Sequence, residues 1–336
     1  MRASQVLHAR PEGLYCPAGD FFIDPVRPVE RALVTHGHSD HARAGHAHVL
    51  ATRETLDIMA LRYGEGFAGS TQVARLGEEI RIGEARVAFH PAGHVLGSAQ
   101  IAVSVGGLCI VASGDYKRAA DPTAAGFEVV PCDVFISEAT FGLPVFRHPD
   151  AAHEIGRLLG SVAEFPERTH LVGAYALGKA QRVIRLLRDH GYDRPIYIHG
   201  ALQKLCDYYA SRGIDLGDLR PATLDTSDRT SFAGEIVVGT PSAFADRWAR
   251  RFAAPVTCFA SGWMRIRQRA RQRGVELPLI ISDHSDWDEL TQTIADTGAG
   301  EVWVTHGREE ALARWCELKG IAARPLHLVG YEDEAE

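Results

Sequence analysis

The stretch VTHGHSDH, residues 34–41, decides the predicted fold, because it places three histidines and an aspartate directly after an apolar run that ends at Val34. Its polar members are His36, His38, Asp40 and His41. On an α-helix these four side chains would point in several directions, whereas on a tight loop after a strand they can converge. Imidazole and carboxylate together suit zinc or a similar divalent ion. We therefore predict a metal-binding loop at the end of a buried strand.

Three more polar residues follow apolar strands elsewhere in the chain. His94 lies in AGHVLGS, Asp115 in ASGDYK and His306 in VTHGREE. Each of them alone is better explained as a turn residue or helix cap, but the shared position at strand ends favours a joint site. VTHG occurs both at 34–37 and at 304–307, as expected for a two-sheet fold with similar halves. We expect a site for two metal ions, which binds a phosphoryl group and generates hydroxide at neutral pH.

The composition is that of a globular protein. The chain has 336 residues, of which 46% are apolar and 24% charged, and its net charge is −7. This charge gives no global attraction to nucleic acid. The sequence has no apolar run long enough to span a membrane, no apolar secretion signal and six cysteines without a C-x-x-C pair. We expect a cytoplasmic protein with reduced thiols and no membrane association.

The secondary-structure pattern changes near residue 150. Before it, short β-rich runs predominate, with hairpins predicted at Gly83-Glu84 and Gly106-Gly107. After it, helical segments alternate with short apolar strands, which is typical of βαβ units and a parallel sheet. The sequence therefore predicts an α/β fold with two differently organised parts.

The motif series H-x-H-x-D-H, G-H-x-x-G-S and S-G-D resembles the metallo-β-lactamase fold, an αββα sandwich with two metals at the edge of its sheets. The resemblance implies that the first metal is held by His36, His38 and His94, and the second by Asp40, His41 and His306. It implies that Asp115 bridges the two ions and that Asp24, in FFID, orients the ligand loop. Zinc is the default ion for these ligand types, and manganese is the alternative.

Three later segments resemble the motifs of the β-CASP nucleases within that fold. They are FISEATFG with Glu138, IISDHSDWDEL with His284, and VTHG with His306. The resemblance implies a metallo-β-lactamase domain in two parts, 1–145 and 263–336, around a β-CASP α/β insertion at 146–262. It spans essentially the whole chain and looks closest to the bacterial DNA ligase-associated exonucleases, relatives of Artemis. This likeness implies a functional link to a DNA ligase or helicase.

The function implied by the resemblance is metal-dependent hydrolysis of phosphodiester bonds in DNA, as a repair exonuclease. Hydroxide activated by the two metals attacks phosphorus, and the catalytic set comprises Asp40, Asp115, His284 and Glu138. His284 is the candidate general acid for the leaving oxygen, and Glu138 can instead hold His284 in orientation. A helix-cap neighbour without chemistry is the alternative interpretation of His284.

The preferred nucleic acid is DNA, with RNA as the alternative. SGWMR, 261–265, resembles the T-G-W segment of the DNA-acting branch, whereas His306 in the third motif is typical of the RNA-acting branch. A small-ester hydrolase on the same fold is disfavoured by the large insertion. A non-catalytic nucleic-acid scaffold is disfavoured because all the ligand positions are filled.

Two segments are candidates for contact with the nucleic acid. GAYALGKA, 173–180, nearly matches the Walker A pattern but has Ala180 where a hydroxyl is needed, so an NTPase is rejected. Gly178 and Lys179 remain a candidate phosphate site at a helix start, and a plain helix start is equally compatible. RIRQRARQR, 265–273, offers Arg265, Arg267 and Arg269, and Trp263 can stack on a base. The alternative for the arginines is an exposed, solvated helix, and the alternative for Trp263 is a tryptophan of the core.

Overall fold

The structure is a computed structural model that describes residues 1–223, 232–245, 248–326 and 328. The chain divides into two compact units. The first unit comprises Met1–Arg147 and His284–Glu336, and the second comprises His148–Asp283.

Two sheets form the first unit, as far as its described residues go. The first sheet contains β1 (His8–Arg10), β2 (Gly13–Cys16), β3 (Phe21–Ile23), β4 (Arg31–Leu33), β5 (His46–Ala51) and β6 (Ala68–Val73), paired in that order. The second contains β7 (Glu79–Ile82), β8 (Ala85–Pro91), β9 (Ala99–Val105), β10 (Leu108–Ala112), β11 (Val134–Ala139), β18 (Glu301–Gly307) and β19 (Ala322–Pro325). Its strand order is β19-β18-β11-β10-β9-β8-β7. Both hairpins predicted from the sequence are present as antiparallel pairs, β7 with β8 and β9 with β10.

The two sheets share one apolar core. Phe21 and Leu33 from the first sheet cluster with Phe89, Ile110 and Trp303 from the second, and all five are buried. Burying one such side chain stabilises the fold by about 1.5–3 kcal/mol, so this layer is a main source of stability.

Helices cover the outer faces of the sandwich. Besides the short α1 (Ala3–Val6), the helices of this unit are α2 (Arg53–Tyr63), α8 (Trp287–Thr297) and α9 (Glu309–Leu318). The apolar side of α2 clusters with the outer face of the first sheet, and those of α8 and α9 cluster with the second. The predicted αββα sandwich is therefore confirmed.

Strand direction brings the predicted ligands to one edge. β10, β11 and β18 are mutually parallel, so the segments that follow them start at the same edge of the second sheet. β9 runs antiparallel to β10, which places the turn before β9 at that edge as well. The backbone N–H of Ala99 donates to the carbonyl oxygen of Thr35 at 2.9 Å and ties the loop after β4 to the second sheet.

The second unit has a parallel sheet, as the alternating pattern predicts. Its strands are β12 (His170–Gly173), β13 (Ile196–Ile198), β14 (Leu219–Pro221), β15 (Ile236–Gly239), β16 (Val256–Ala260) and β17 (Leu277–Leu279), in the order β14-β13-β15-β12-β16-β17. Its helices are α3 (Ala151–Glu164), α4 (Lys179–Asp189), α5 (Gln203–Ser211), α6 (Pro241–Ala245) and α7 (Arg267–Gln272).

The end of the second unit corrects one predicted boundary. The sequence prediction ended the insertion at 262 and assigned 263–283 to the first unit, whereas the structure ends the second unit at Asp283. The reason is strand pairing: β17 lies parallel to β16 as the edge strand of the same sheet. Buried Glu154 on α3 also accepts the backbone N–H of Ile280 at 2.9 Å. The first boundary, predicted after 145, falls after Arg147.

The starts of α8 and α7 determine the local structure around His284 and around the arginine-rich segment. Asp286 caps α8 through a reciprocal pair of bonds with Glu289, which fixes the start of the helix at Trp287, three residues after His284. The arginine-rich segment is less helical than expected, since α7 begins only at Arg267 and Arg265 closes a 3₁₀ turn. Among the described helices, none is long and apolar enough to cross a membrane.

Candidate metal centre

The loop after β4 is fastened by one buried carboxylate. Asp24 Oδ1 accepts the backbone N–H of Thr35 at 2.8 Å, and Asp24 Oδ2 accepts the Thr35 hydroxyl at 2.6 Å. The same Oδ2 lies 2.8 Å from Nδ1 of His41. Because Nδ1 is engaged in this bond, Nε2 of His41 is the nitrogen left to face the site. Asp24 therefore lies where the resemblance predicted an orienting acid.

Four buried side chains form a first cluster. The ligand atoms of His36, His38, His94 and Asp115 all lie within 4.8 Å of one another. His94 Nε2 is 3.0 Å from His38 Nδ1, and His36 Nε2 is 3.4 Å from Asp115 Oδ2. Two ligand atoms on a tetrahedral ion with bonds of about 2.0–2.1 Å are separated by about 3.4 Å, so these spacings suit zinc.

A second cluster shares Asp115 with the first. His41, Asp115 and His306 again have ligand atoms within 4.8 Å. His41 Nε2 is 3.4 Å from Asp115 Oδ2 and 3.6 Å from Asp40 Oδ2, so Asp40 adds a second carboxylate. One oxygen of Asp115 is thus equally distant from His36 and His41, which is the arrangement required of a bridging ligand.

Burial and charge determine the protonation of the clusters. Burial lowers the pKa of His36, and it lowers the pKa of His306 to about 4. Burial opposes a proton on His41 too, but the carboxylates of Asp115 and Asp40 outweigh it and raise the pKa of His41 well above its usual value. Burial would also raise the pKa of Asp115, but His41 outweighs it and the pKa falls. A proton on His41 thus balances the negative charge of the Asp115 and Asp40 carboxylates, which bound cations would balance instead.

One buried nitrogen supports this fit. Among the described residues, Nε2 of His36 makes no hydrogen bond, whereas Nδ1 lies 3.0 Å from the Thr35 hydroxyl. A buried polar atom without a hydrogen bond is costly unless a ligand uses it. The donor set is therefore that of a site for one or two divalent ions.

Glu138 and His284 form a pair beside the first cluster. His284 Nδ1 lies 3.0 Å from Glu138 Oε2 and 3.2 Å from Oε1. Glu138 is completely buried, and its Oε1 also accepts the backbone N–H of Tyr116 at 2.8 Å. The rings of His284 and His94 are 4.6 Å apart between centroids. Since Nδ1 is directed at Glu138, Nε2 is the ring nitrogen of His284 that lies on the side away from this carboxylate.

Strained backbone accompanies the ligands. Asp24 and His306 have φ of 45° and 55°, in the left-handed region that non-glycine residues seldom adopt. The β11–β18 ladder shifts register opposite His306, and Gly307 follows with φ 107°. A Cβ on Gly307 would lie 2.3 Å from the carbonyl oxygen of Ala139, so this position requires glycine. The local bulge directs His306 into the second cluster.

Lys117 is a residue that the motif analysis missed. Its buried Nζ pairs with Glu289 Oε2 at 2.6 Å, and Glu289 belongs to the cap of α8. The backbone N–H of Ser285 donates to the carbonyl oxygen of Tyr116 at 2.7 Å. These contacts hold the segment of His284 against the loop of Asp115. A lysine in a strand-end loop gives no sequence signal for such a role, because its partner is 172 residues away.

The predicted phosphate site at Gly178 and Lys179 is wrong. Lys179 is only 4% exposed, and its Nζ pairs with Asp283 Oδ1 at 2.6 Å inside the second unit. Gly178 is buried, and its N–H donates to Gln181 Oε1 at 2.8 Å. An internal carboxylate therefore satisfies the lysine, and a side chain satisfies the helix-start N–H that a phosphate would need.

The other predicted nucleic-acid residues lie nearer the surface. Arg265 and Arg267 are exposed. Arg269 is half-buried, with its guanidinium carbon 4.0 Å from the centre of the Trp263 ring. This stacking occupies one face of Trp263, so only the other face can take a base.

The chain resembles several proteins of known name. No family model matches it. A "Probable DNA ligase" of Opitutus terrae is 27% identical over 323 residues, which cover 93% of this chain and 30% of that protein. Subunit 3 of the cleavage and polyadenylation specificity factor of Dictyostelium discoideum is 30% identical over 191 residues, covering 54% of this chain and 24% of that protein. An RNase J-like protein of Methanocaldococcus jannaschii is 25% identical over 213 residues, covering 55% and 51%.

The chain thus spans between about a quarter and about half of the length of these curated relatives. Among solved structures, a protein of unknown function from Enterococcus faecalis matches with a TM-score of 0.58 at 12% identity, covering 90% of this chain and 80% of that one. At this identity the likeness concerns the fold alone, and it agrees with the α/β architecture described above. Together with the motifs and the clustered ligands, these similarities support a protein of the β-CASP type on the metallo-β-lactamase fold.

Proposed function

We propose that the chain is a metal-dependent phosphodiesterase that degrades DNA, acting as a repair exonuclease in the cytoplasm. The observation that carries this proposal is the shared carboxylate: one oxygen of Asp115 lies 3.4 Å from both His36 Nε2 and His41 Nε2. Such sharing suits two adjacent cations. Two adjacent cations in turn stabilise the negative charge on the oxygens of a phosphoryl group under attack.

The ligands divide between two ions. In this proposal His36, His38 and His94 would hold one ion, Asp40, His41 and His306 would hold the other, and Asp115 would serve as a ligand shared by the two. Bound divalent ions supply Lewis-acid stabilisation of the phosphoryl oxygens and lower the pKa of water. The imidazole-rich set favours zinc, and manganese is the alternative.

His284 supplies the proton for the leaving oxygen. Its Nδ1–H donates to Glu138, so a protonated ring carries its second proton on Nε2, the nitrogen directed away from Glu138. As the P–O bond breaks, the Nε2 proton passes to the leaving oxygen and a neutral ring remains with its proton on Nδ1. Glu138 keeps the ring in this orientation rather than acting on the substrate itself.

The strand contacts are assigned to exposed cations of the second unit. Arg265 and Arg267 are exposed and carry no ion pair among the described residues, so they suit phosphates of the nucleic-acid backbone. The stacked pair of Trp263 and Arg269 offers a cation and an indole of the kind that bind a base by stacking.

DNA is preferred over RNA for two reasons. A relative that covers 93% of this chain is named a probable DNA ligase, which also suits a functional link between this chain and a ligase. SGWMR, 261–265, resembles the segment typical of DNA-acting members. The second candidate, a ribonuclease, is favoured by His306 and by relatives named for RNA cleavage, such as "Endoribonuclease ysh1" of Aspergillus fumigatus.

The test combines metal analysis with labelled strands. The purified chain, loaded with zinc or manganese, is given matched single-stranded DNA and RNA that carry a label at the 5′ or the 3′ end. We expect stepwise shortening of DNA and loss of cleavage with a chelator. Faster cleavage of RNA would favour the second candidate, and no cleavage of either strand by the metal-loaded chain would refute a nuclease.

Matched variants connect cleavage with the clusters. Asp40→Asn or His38→Ala should lose bound metal and cleavage together. His48→Ala is the control, because His48 is exposed and lies 3.4 Å from Glu30, outside both clusters. Full activity in Asp40→Asn or His38→Ala would contradict the ligand assignment.

A further inference from the structure

Thr140 has a contact that none of the motif roles explains. It follows Glu138 by two residues, just beyond the end of β11, and is half-buried. Its hydroxyl lies 2.5 Å from Glu138 Oε2 and 3.4 Å from His284 Nδ1. The first distance is that of a strong hydroxyl-to-carboxylate bond. The hydroxyl therefore binds the same oxygen that holds the imidazole.

The carboxylate of Glu138 is held from both sides. Oε1 accepts the backbone N–H of Tyr116 at 2.8 Å, and Oε2 accepts the Thr140 hydroxyl. The terminal torsion of a glutamate is broad, so burial by itself does not fix the plane of the carboxylate. Two donors on opposite oxygens do fix it, and the plane decides where Nδ1 of His284 must point.

The local turn does not need this hydroxyl. A threonine at a strand end often closes a turn by accepting a backbone N–H. Here the turn is closed by the backbone, because the N–H of Gly142 donates to the carbonyl oxygen of Ala139 at 2.9 Å. The hydroxyl is instead directed at Glu138, which is 0% exposed.

Three donors around one carboxylate also argue against a third metal site there. Asp115, Glu138 and His284 have ligand atoms within 4.8 Å of one another. A cation would have to displace the N–H of Tyr116, the hydroxyl of Thr140 and Nδ1 of His284 from Glu138. The group is better explained as a chain of hydrogen bonds that links Tyr116 and Thr140 through Glu138 to His284.

We propose that Thr140 is a positioning residue whose hydroxyl orients the Glu138 carboxylate and thereby holds His284 with Nδ1–H inward and Nε2 toward the first metal cluster. The proposal rests on the proposed function of His284 as the proton donor. Without the hydroxyl, the carboxylate rotates and the ring loses its preferred orientation and tautomer. Metal binding is not affected, because Thr140 contacts none of the proposed ligands in the contacts described here.

The test separates proton donation from other steps by changing the leaving group. An oligonucleotide leaves as an alkoxide, which needs a proton, whereas bis(p-nitrophenyl) phosphate releases p-nitrophenolate, which does not. We expect Thr140→Val to lower kcat on the oligonucleotide about tenfold or more, with KM and metal content unchanged. Hydrolysis of the aryl ester should stay within about twofold, and Thr140→Ser should restore most of the oligonucleotide rate.

Two further variants are compared with Thr140→Val. His284→Gln should show the same selectivity for the aryl ester in a stronger form. Thr291→Val is the matched control: it also removes one threonine hydroxyl, which bonds the carbonyl oxygen of Trp287 at 2.9 Å on α8. Equal losses on both substrates in Thr140→Val, or no loss on either, would overturn the positioning role.

A second readout keeps the proposal separate from the nuclease proposal. If the metal-loaded wild-type chain cleaves no nucleic acid, the proposed function fails, and the ring of His284 still reports on Thr140. In ¹⁵N-histidine spectra, the signal lost in His284→Gln should have the pattern of an Nδ1–H ring. Thr140→Val should convert it to a mixture of tautomers, and an unchanged pattern would refute the inference.

Discussion

Replacing Asp24 by asparagine isolates the hydrogen bonds that hold the ligand loop. Asp24 Oδ1 accepts the N–H of Thr35, and Oδ2 accepts both the Thr35 hydroxyl and Nδ1–H of His41. Asparagine has a single acceptor oxygen, so with that oxygen on Thr35 N–H its NH₂ group faces the other two donors. The Thr35 oxygen can accept from this NH₂ group, but its O–H then loses the carboxylate acceptor, because Nδ1 of His36, 3.0 Å away, is also a donor when Nε2 faces the metal site. His41 cannot turn without leaving the site.

The main expected loss is therefore the bond from His41 to a charged group. Such a bond contributes about 1.5–3 kcal/mol, which corresponds to a decrease in metal affinity of about 10- to 100-fold. The assay is competition for zinc against a fluorescent chelator, followed by thermal unfolding with and without the metal. The stabilisation that zinc confers on the variant should shrink by a matching amount.

Asp20→Asn is the control for this prediction. Asp20 has φ 49°, nearly that of Asp24 at 45°, and Asn tolerates this region as well as Asp does. Asp20 accepts one hydroxyl, that of Tyr15 at 2.7 Å, and contacts no ligand of the clusters among the described contacts. Unchanged zinc affinity in Asp24→Asn, or an equal decrease in Asp20→Asn, would refute the account of the loop.

Three further predictions concern the frame around the centre. Gly307→Ala should destabilise the fold by about 3 kcal/mol or more in denaturant titrations, because its Cβ would lie 2.3 Å from the carbonyl oxygen of Ala139. Gly320→Ala is the control: at φ 77° with open space around it, it should cost only about 1–2 kcal/mol. Equal losses in the two variants would contradict the close approach at Gly307. Lys117→Met should lower the free energy of unfolding by about 2–3 kcal/mol and lower kcat while metal stays bound. Arg147→Met, which breaks an exposed pair with Asp288, should lower the free energy of unfolding by less than about 1 kcal/mol. Equal losses in the two variants would count against a stabilising role of the buried pair. Arg265→Ala and Arg267→Ala should each reduce the slope of log affinity against log salt concentration by about one unit, whereas Arg220→Ala should leave this slope unchanged. Lys179→Ala should lower the stability of the fold rather than the affinity for the strand. An unchanged slope in both Arg265→Ala and Arg267→Ala would show that these arginines do not contact the strand.

Local pattern was enough to predict much of this fold. Both hairpins and the switch to a parallel sheet after residue 150 follow from periodicity and turn residues, which act over a few positions. The end of the second unit was missed because the sheet to which the short strand β17 belongs is set by its pairing with β16, which no local pattern indicates. Lys179 was misassigned for the same reason, since Asp283 lies more than a hundred residues along the chain.

The sequence by itself determined the kind of site, because residue types and spacing in VTHGHSDH, AGHVLGS and ASGDYK specify imidazole and carboxylate ligands at strand ends. Only the tertiary structure decided that one oxygen of Asp115 serves both clusters, that Thr140 and Tyr116 orient Glu138, and that Lys179 is used internally. The physical reason is the range of the interactions involved. Turn and strand propensities act between near neighbours, whereas hydrogen bonds and ion pairs between distant segments depend on which strands the apolar core brings side by side.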